Sequence, residues 1–240
     1  MLDEVNINKV LFLDIETVPA APSYDALPEN AQRLWNKKAD QLRRNEDETA
    51  AELYGRAGIY AEFGKIVCVS SGIIHQKEGN DYLRLASFYG DDEQQLLTQF
   101  AELLAAHFNT SQHYLCAHNG KEFDFPYLAR RMLINGVKIP SALDLAGKKP
   151  WEVRHLDTME LWKFGDYKHF TSLELLTHLF GIPTPKDDLD GSQVKIVYWV
   201  EKNLERIVSY CQKDVIALTQ LFRKYKGLDL IQEQFITYTT

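Results

Sequence analysis

The first strong pattern along the chain is a continuous apolar run, Val10-Leu11-Phe12-Leu13, followed by Asp14-Ile15-Glu16-Thr17-Val18, where acids fall on alternate residues until Pro19 and Pro22 break the pattern. Such a run predicts a central strand buried on both faces, with two carboxylates at its C-terminal end. From Pro19 to Glu62 there is no strand signal. A helical stretch from Ala31 to Arg44 and an acidic Glu46-Asp47-Glu48 mark an insertion at about 20–62, with a lid as one reading of it. Two β-rich runs, Lys65 to Ile74 and Tyr82 to Tyr89, flank Glu78-Gly79-Asn80-Asp81, a polar turn that suits a hairpin.

Leu96, Leu97, Phe100, Leu103, Leu104 and Phe108 then recur at helical spacing behind Asp91-Asp92, whose short acids can cap a helix start. A strand from Tyr114 to Ala117 leads into His118-Asn119-Gly120 and a helix expected to start near Pro126 and to end at Gly136. His155 to Thr158 reads as one more short strand. Thr171-Ser172-Leu173-Glu174 opens the next helix as a capping box, with Gly181 at its end. Pro183 and Pro185 begin a polar loop to Gly191. After a segment from Val194 to Val200, a long helix runs from about Asn203 to Tyr225. The order predicts a mixed α/β protein, with three antiparallel strands, then parallel strands alternating with helices, over one domain spanning 1–240.

Composition narrows the class. Hydrophobic residues at 45% and charged residues at 25% exclude a disordered or fibrous chain. With 27 Lys and Arg against 34 Asp and Glu, the net charge of −7 argues against attachment to nucleic acid by bulk positive charge. A local groove from Lys121, Arg130, Arg131, Lys148, Lys149 and Arg154 stays open. Cys68, Cys116 and Cys211 offer neither a disulfide framework nor a zinc spacing and sit in apolar surroundings, so a reducing cytoplasm is expected. No signal peptide is legible and no apolar run approaches ~20 residues, so no membrane association is expected.

Asp14 and Glu16, two apart on a strand, project from one face. Like charges so close resist joint ionisation unless a cation lies between them. In the last helix, an advance of ~100° per residue places Asp214 amid Ile207, Leu218, Leu221 and Tyr225, with Gln220 and Arg223 among the polar residues of the flanks and back. From that helix alone a buried salt bridge and a metal ligand stand level. Tyr210 lies one turn before Asp214 on the same face. Asp124 sits just before a helix start, where capping competes with any functional role.

Together the motifs Phe12-Leu13-Asp14-Ile15-Glu16-Thr17, His118-Asn119-Gly120-Lys121-Glu122-Phe123-Asp124 and Tyr210-Cys211-Gln212-Lys213-Asp214 resemble the DEDD superfamily of 3′→5′ exonucleases, in its tyrosine branch. The details are most similar to the proofreading domain of family-B DNA polymerases, in particular a stand-alone bacterial group of polymerase-B-like exonucleases. The match covers about Lys9 to Tyr225 outside the insertion. The resemblance implies a ribonuclease H-like fold and two Mg²⁺ or Mn²⁺ ions held by Asp14, Glu16, Asp124 and Asp214. It implies Tyr210 as the residue that orients or deprotonates the attacking water. Thr17, Asn119, Phe123 and Lys121 are the implied substrate contacts.

The expected activity is metal-dependent hydrolysis at single-stranded 3′ ends, with DNA ahead of RNA, releasing nucleoside 5′-monophosphates. A replication or repair partner is conceivable but unidentified. The alternatives are the same chemistry on RNA or oligoribonucleotides, a nucleic-acid-binding module without catalysis, and an unrelated phosphohydrolase. Asp157 resembles a structural Asp at a strand end of the superfamily. In the insertion, Leu34, Trp35 and Leu42 favour core packing over a base-stacking lid, in spite of Arg33, Lys37, Lys38, Arg43 and Arg44.

Overall fold

The computed structural model describes residues 2–45, 47–166, 170–183 and 189–239; Glu46 of the acidic run and residues 184–188 of the polar loop, Pro185 among them, lie outside these. The apolar run forms β1 (Val10–Pro19). Its alternation feeds two cores, Leu11, Leu13 and Ile15 into one and Val10 and Phe12 into the other. β1 pairs antiparallel with β2 (Gly64–Lys77), and β2 pairs antiparallel with β3 (Asn80–Tyr89). Glu78 and Gly79, at φ 52° and 78°, supply the two positive-φ residues of a tight hairpin turn. The other edge of β1 takes β4 (Tyr114–Ala117), and β4 takes β5 (Leu156–Asp157), both parallel. This is the expected ribonuclease H-like arrangement, antiparallel first and parallel afterwards.

The sheet order is β5-β4-β1-β2-β3-β6. β6 (Ile236–Thr239), parallel to β3, was not expected from the sequence, where Ile236 is the one aliphatic residue of the four. α1 (Glu29–Leu42) and α2 (Ala50–Leu53) belong to the insertion. α3 (Glu93–His107) and α4 (Asp124–Ile134) cover one face of the sheet. α5 (Thr158–Lys163), α6 (Leu173–Leu179) and α7 (Val194–Ile196), the last running into a π-helical turn, precede α8 (Leu204–Tyr225), which covers the other face. Asp92 and Asn203 cap α3 and α8 by accepting the backbone N–H groups of Gln95 and Arg206. α6 departs from the expected capping box: Ser172, one residue later than Thr171, accepts the Leu175 N–H. No helix among the described residues is long and apolar enough to cross a membrane.

Trp35 is wholly buried in the insertion's own core, its Nε1 donating to the Ala50 carbonyl at 2.7 Å and its ring edge-on to Tyr54 and Phe63. It is therefore no base-stacking surface. Leu34, expected beside it, is exposed. The insertion lies directly on the sheet, because a Cβ at Gly58 would come within 3.0 Å of the Val18 backbone. The Tyr127 hydroxyl donates to the Gly58 carbonyl at 2.7 Å and ties the same loop to α4.

Two polar side chains expected at the surface are buried instead, and a third is partly withdrawn from solvent. Gln220 exchanges hydrogen bonds with the Ile231 backbone, and Arg223 donates to Asp81 and to the Asp229 carbonyl. The chain that returns from α8 to β6 covers that flank, which helical projection alone treats as solvent. Arg131, named above among residues that could form a basic groove, is ion-paired with buried Glu93 and donates to the Ala61 carbonyl. Glu93 also accepts the Ile66 N–H at 2.7 Å, joining α3, α4 and β2. Truncating one partner strands the other's charge, so Glu93→Ala should cost about 3–5 kcal/mol in urea unfolding with an unchanged m-value. A loss below about 1 kcal/mol would show that the pair does not hold these elements together.

Candidate active site

Asp14 and Glu16 continue the face of β1 that carries Val10 and Phe12, so where the apolar residues stop, two acids meet α8. Opposite the step from Glu16 to Thr17, β2 carries one extra residue, Val67, and the register shifts. Such a bulge bends and twists a strand, and here it lies beside the acids. Cys211 of α8 faces them: its Sγ lies 3.4 Å from Asp14 Oδ2, and one oxygen each of Asp14 and Glu16 falls with that sulfur in a set within 4.8 Å of one another. Sequence reasoning treated Cys211 as an apolar core residue. The signal was present, since Cys211 is three residues before Asp214 and shares its helical face.

Asp214 is half-buried and accepts a hydrogen bond from the hydroxyl of Tyr210. Asp124 is buried at the first turn of α4, which starts two residues ahead of Pro126. It is not the cap, a position taken by Phe123. Backbone N–H groups of Asp124 and Ile15 lower its carboxyl against the larger effect of burial, while its Oδ1 has no hydrogen-bond partner among the described residues. A buried carboxylate oxygen left in this state is costly without a cation or water.

Electrostatics tie these residues into one cluster. Burial first, then the charges of Asp214 and Asp124, hold the Asp14 carboxyl well above the usual carboxylate range. Burial and the Asp14 and Asp214 charges do the same to Glu16. Asp124 is pushed up to about 7, mainly by burial. Burial, followed by Asp214, Glu16 and Asp14, raises the Tyr210 phenol far above its ordinary value, so it stays protonated at any physiological pH. Acids that repel one another, one with an unsatisfied oxygen, fit a hard divalent cation, which prefers carboxylate oxygens.

A cleft of about 440 Å³ opens beside Glu16. Thr17 and Phe123 line it, with Gly55 and Arg56 of the insertion and Lys195 opposite. Asn119 and Lys121 line a different cleft of about 530 Å³, and the Lys121 ammonium pairs with Glu160 at 2.5 Å. Asn119 has φ 62° and a buried Oδ1 without a partner among the described residues. Asp157 accepts the backbone N–H groups of Asn119, Lys121, Met159 and Glu160, so it pins this turn and caps α5. That is the structural role its sequence position suggested.

A protein-family model described as a predicted 3′-5′ exonuclease related to the exonuclease domain of PolB matches residues 59–235. A DNA polymerase of Pyrococcus glycovorans is 24% identical over 124 residues, which is 46% of this chain and 16% of that polymerase. The family B DNA polymerase from the hyperthermophilic archaeon Pyrobaculum calidifontis aligns at a TM-score of 0.46 and 14% identity, covering 87% of this chain and 24% of that one. Exonuclease I aligns at a TM-score of 0.37 and 13% identity, covering 84% and 45%. The chain thus spans less than half the length of each of these relatives.

Raised carboxyl values in the folded state have a definite sign in stability. A group whose folded value lies above its unfolded value contributes fully below the unfolded value and loses that contribution as pH rises through the folded one. For Asp124 the window runs from about 4 to about 7. In chelator, the melting temperature should therefore fall between about pH 4 and about pH 8, and Asp124→Asn should flatten the fall. An identical pH profile for the variant would remove Asp124 from the strained cluster.

Proposed function

The chain belongs to the family of predicted 3′-5′ exonucleases related to the exonuclease domain of PolB, and we propose that it shortens single-stranded DNA from the 3′ end, releasing nucleoside 5′-monophosphates. Exonuclease domains of this kind act on nucleic acid and use divalent metals. The observation that best supports the finer reading is the convergence of Asp14, Glu16, Asp124 and Asp214 from three distant segments, with the Asp124 Oδ1 left over.

Asp14, Glu16 and Asp214 would hold one ion, and Asp14 with Asp124 a second. Bound Mg²⁺ or Mn²⁺ would supply an activated water, a neutralised phosphate and a stabilised leaving oxygen. The chain's own groups do the rest. Tyr210, kept protonated and held by Asp214, orients the attacking water and does not act as the base. Glu16 also reaches the terminal 3′-hydroxyl, and the Thr17 backbone and Phe123 line the terminal-nucleotide cleft. Asn119 and Lys121 support the strand behind it. The 20–62 segment, as an insertion in one exonuclease domain, supplies a wall of the cleft through Gly55 and Arg56.

The test is product analysis of a 5′-labelled single-stranded DNA with Mn²⁺, Mg²⁺ or chelator, beside RNA of equal length. Wild type should give a metal-dependent ladder shortening from the 3′ end, and Asp14→Ala or Asp214→Ala should abolish it while the circular dichroism spectrum stays folded. Tyr210→Phe should lower kcat by roughly 10²-fold, the cost of a misplaced attacking water. Wild-type turnover in Asp14→Ala would overturn the site, and faster shortening of RNA would overturn the choice of DNA.

A further inference from the structure

The loop from Asn119 to Phe125 stands between two clefts. Phe123 faces the one beside Glu16, while Asn119, Lys121 and Phe125 line the second. The second cleft has an apolar floor that includes Phe125, Leu143 and Met159, and Lys148, Val153, Glu160 and Lys163 lie along its walls. On the chain segments that form those walls, large rings stand in solvent. Trp151 is 78% exposed, Phe164 85% and Phe170 70%. Two of them carry a cation: the Lys149 ammonium lies 5.2 Å from the Trp151 ring centre, and that of Lys163 lies 4.9 Å from the Phe170 ring centre.

The acids around this cleft are held in place by their partners. Asp157 is committed to backbone N–H groups, Glu160 to Lys121, and Glu152 accepts the Lys149 N–H. With Lys149 and Glu152 at its rim, Lys121, Arg130, Lys148, Lys149 and Lys163 balance Glu122, Asp144, Glu152, Asp157 and Glu160, so the cleft is close to neutral. On a chain of net charge −7, a balanced cleft with ammonium groups over exposed rings is less repulsive to a polyanion than the average surface. Rings that offer a flat face beside an ammonium match the bases and phosphates of an unpaired strand, where stacking is tolerant of sequence.

We propose that this second cleft and its aromatic rim bind the unpaired strand upstream of its 3′ terminus, with bases stacking on Trp151 and Phe164 and phosphates meeting Lys148, Lys149 and Lys163. The strand crosses the Asn119–Phe125 loop to reach the cleft at Glu16. The polarity rests on the exonuclease reading; the binding does not.

Fluorescence anisotropy in chelator, with labelled single strands of about 16 nucleotides, measures binding without hydrolysis. Trp151→Ala and Phe164→Ala should each weaken it roughly tenfold, and Trp151→Phe should restore it. In Mn²⁺ the two alanine variants should turn over a dinucleotide at the wild-type rate and lose activity only on the long strand. Both side chains stand in solvent, so the core is untouched by either change. Unaltered long-strand affinity in both alanine variants would overturn the proposal and point to a protein partner on these rings, whatever the activity assay gives. Loss of dinucleotide turnover in wild type would count against the exonuclease reading alone, since the anisotropy arm needs no hydrolysis.

Discussion

The structure depends on one constraint: a strand buried on both faces must change from apolar to acidic without leaving the interior. Leu11, Leu13 and Ile15 belong to one core and Val10 and Phe12 to the other, so β1 has no solvent side to which Asp14 and Glu16 could turn. Their carboxylates lie where charge is costly, and the neighbouring elements add to that cost with acids of their own. α8 brings Cys211, Tyr210 and Asp214 against them, and α4 begins at Asp124. A site of this kind is high in energy without a cation, which is a reason for it to bind one tightly.

The surrounding scaffold is correspondingly stiff. Glu93 joins α3, α4 and β2 through the Ile66 N–H, Arg131 and Asn135. Tyr127 reaches from α4 to the insertion, and Trp199 donates to the Pro19 carbonyl where β1 ends. Asp157 fixes the turn that separates the two clefts. Each link joins elements that carry one of the acids or one wall of a cleft, so positional precision comes from polar bonds placed at element ends while the cores supply bulk stability.

Much of this was legible because it rests on local periodicity. The run at Val10, the hairpin, the Asp92 cap, the extent of α8, and the pairings of Asp14 with Glu16 and of Tyr210 with Asp214 each follow from spacing within one element or one turn, while the grouping of the two pairs came from the family resemblance. What was missed depends on what an element meets. Gln220 and Arg223 are polar by type and lie on a flank, yet the return to β6 buries them. Arg131 reads as a surface cation until Glu93, thirty-eight residues away, takes it up. Cys211 looks apolar until β1 is placed opposite. Distances between elements are a property of the tertiary fold, and no single-element pattern encodes them.

The extra residue at Val67 bears on how the sheet finds its pairing. β1 and its antiparallel partner β2 are separated by the whole insertion, so their alignment is not set by a tight turn. A slip of one residue would turn Asp14 and Glu16 into the core that now takes Leu13 and Ile15. Two unsatisfied carboxylates there cost more than the misaligned hydrogen bonds return. The acids thus belong to the register as much as to the site: the observed alignment sets them on the face of β1 that meets α8.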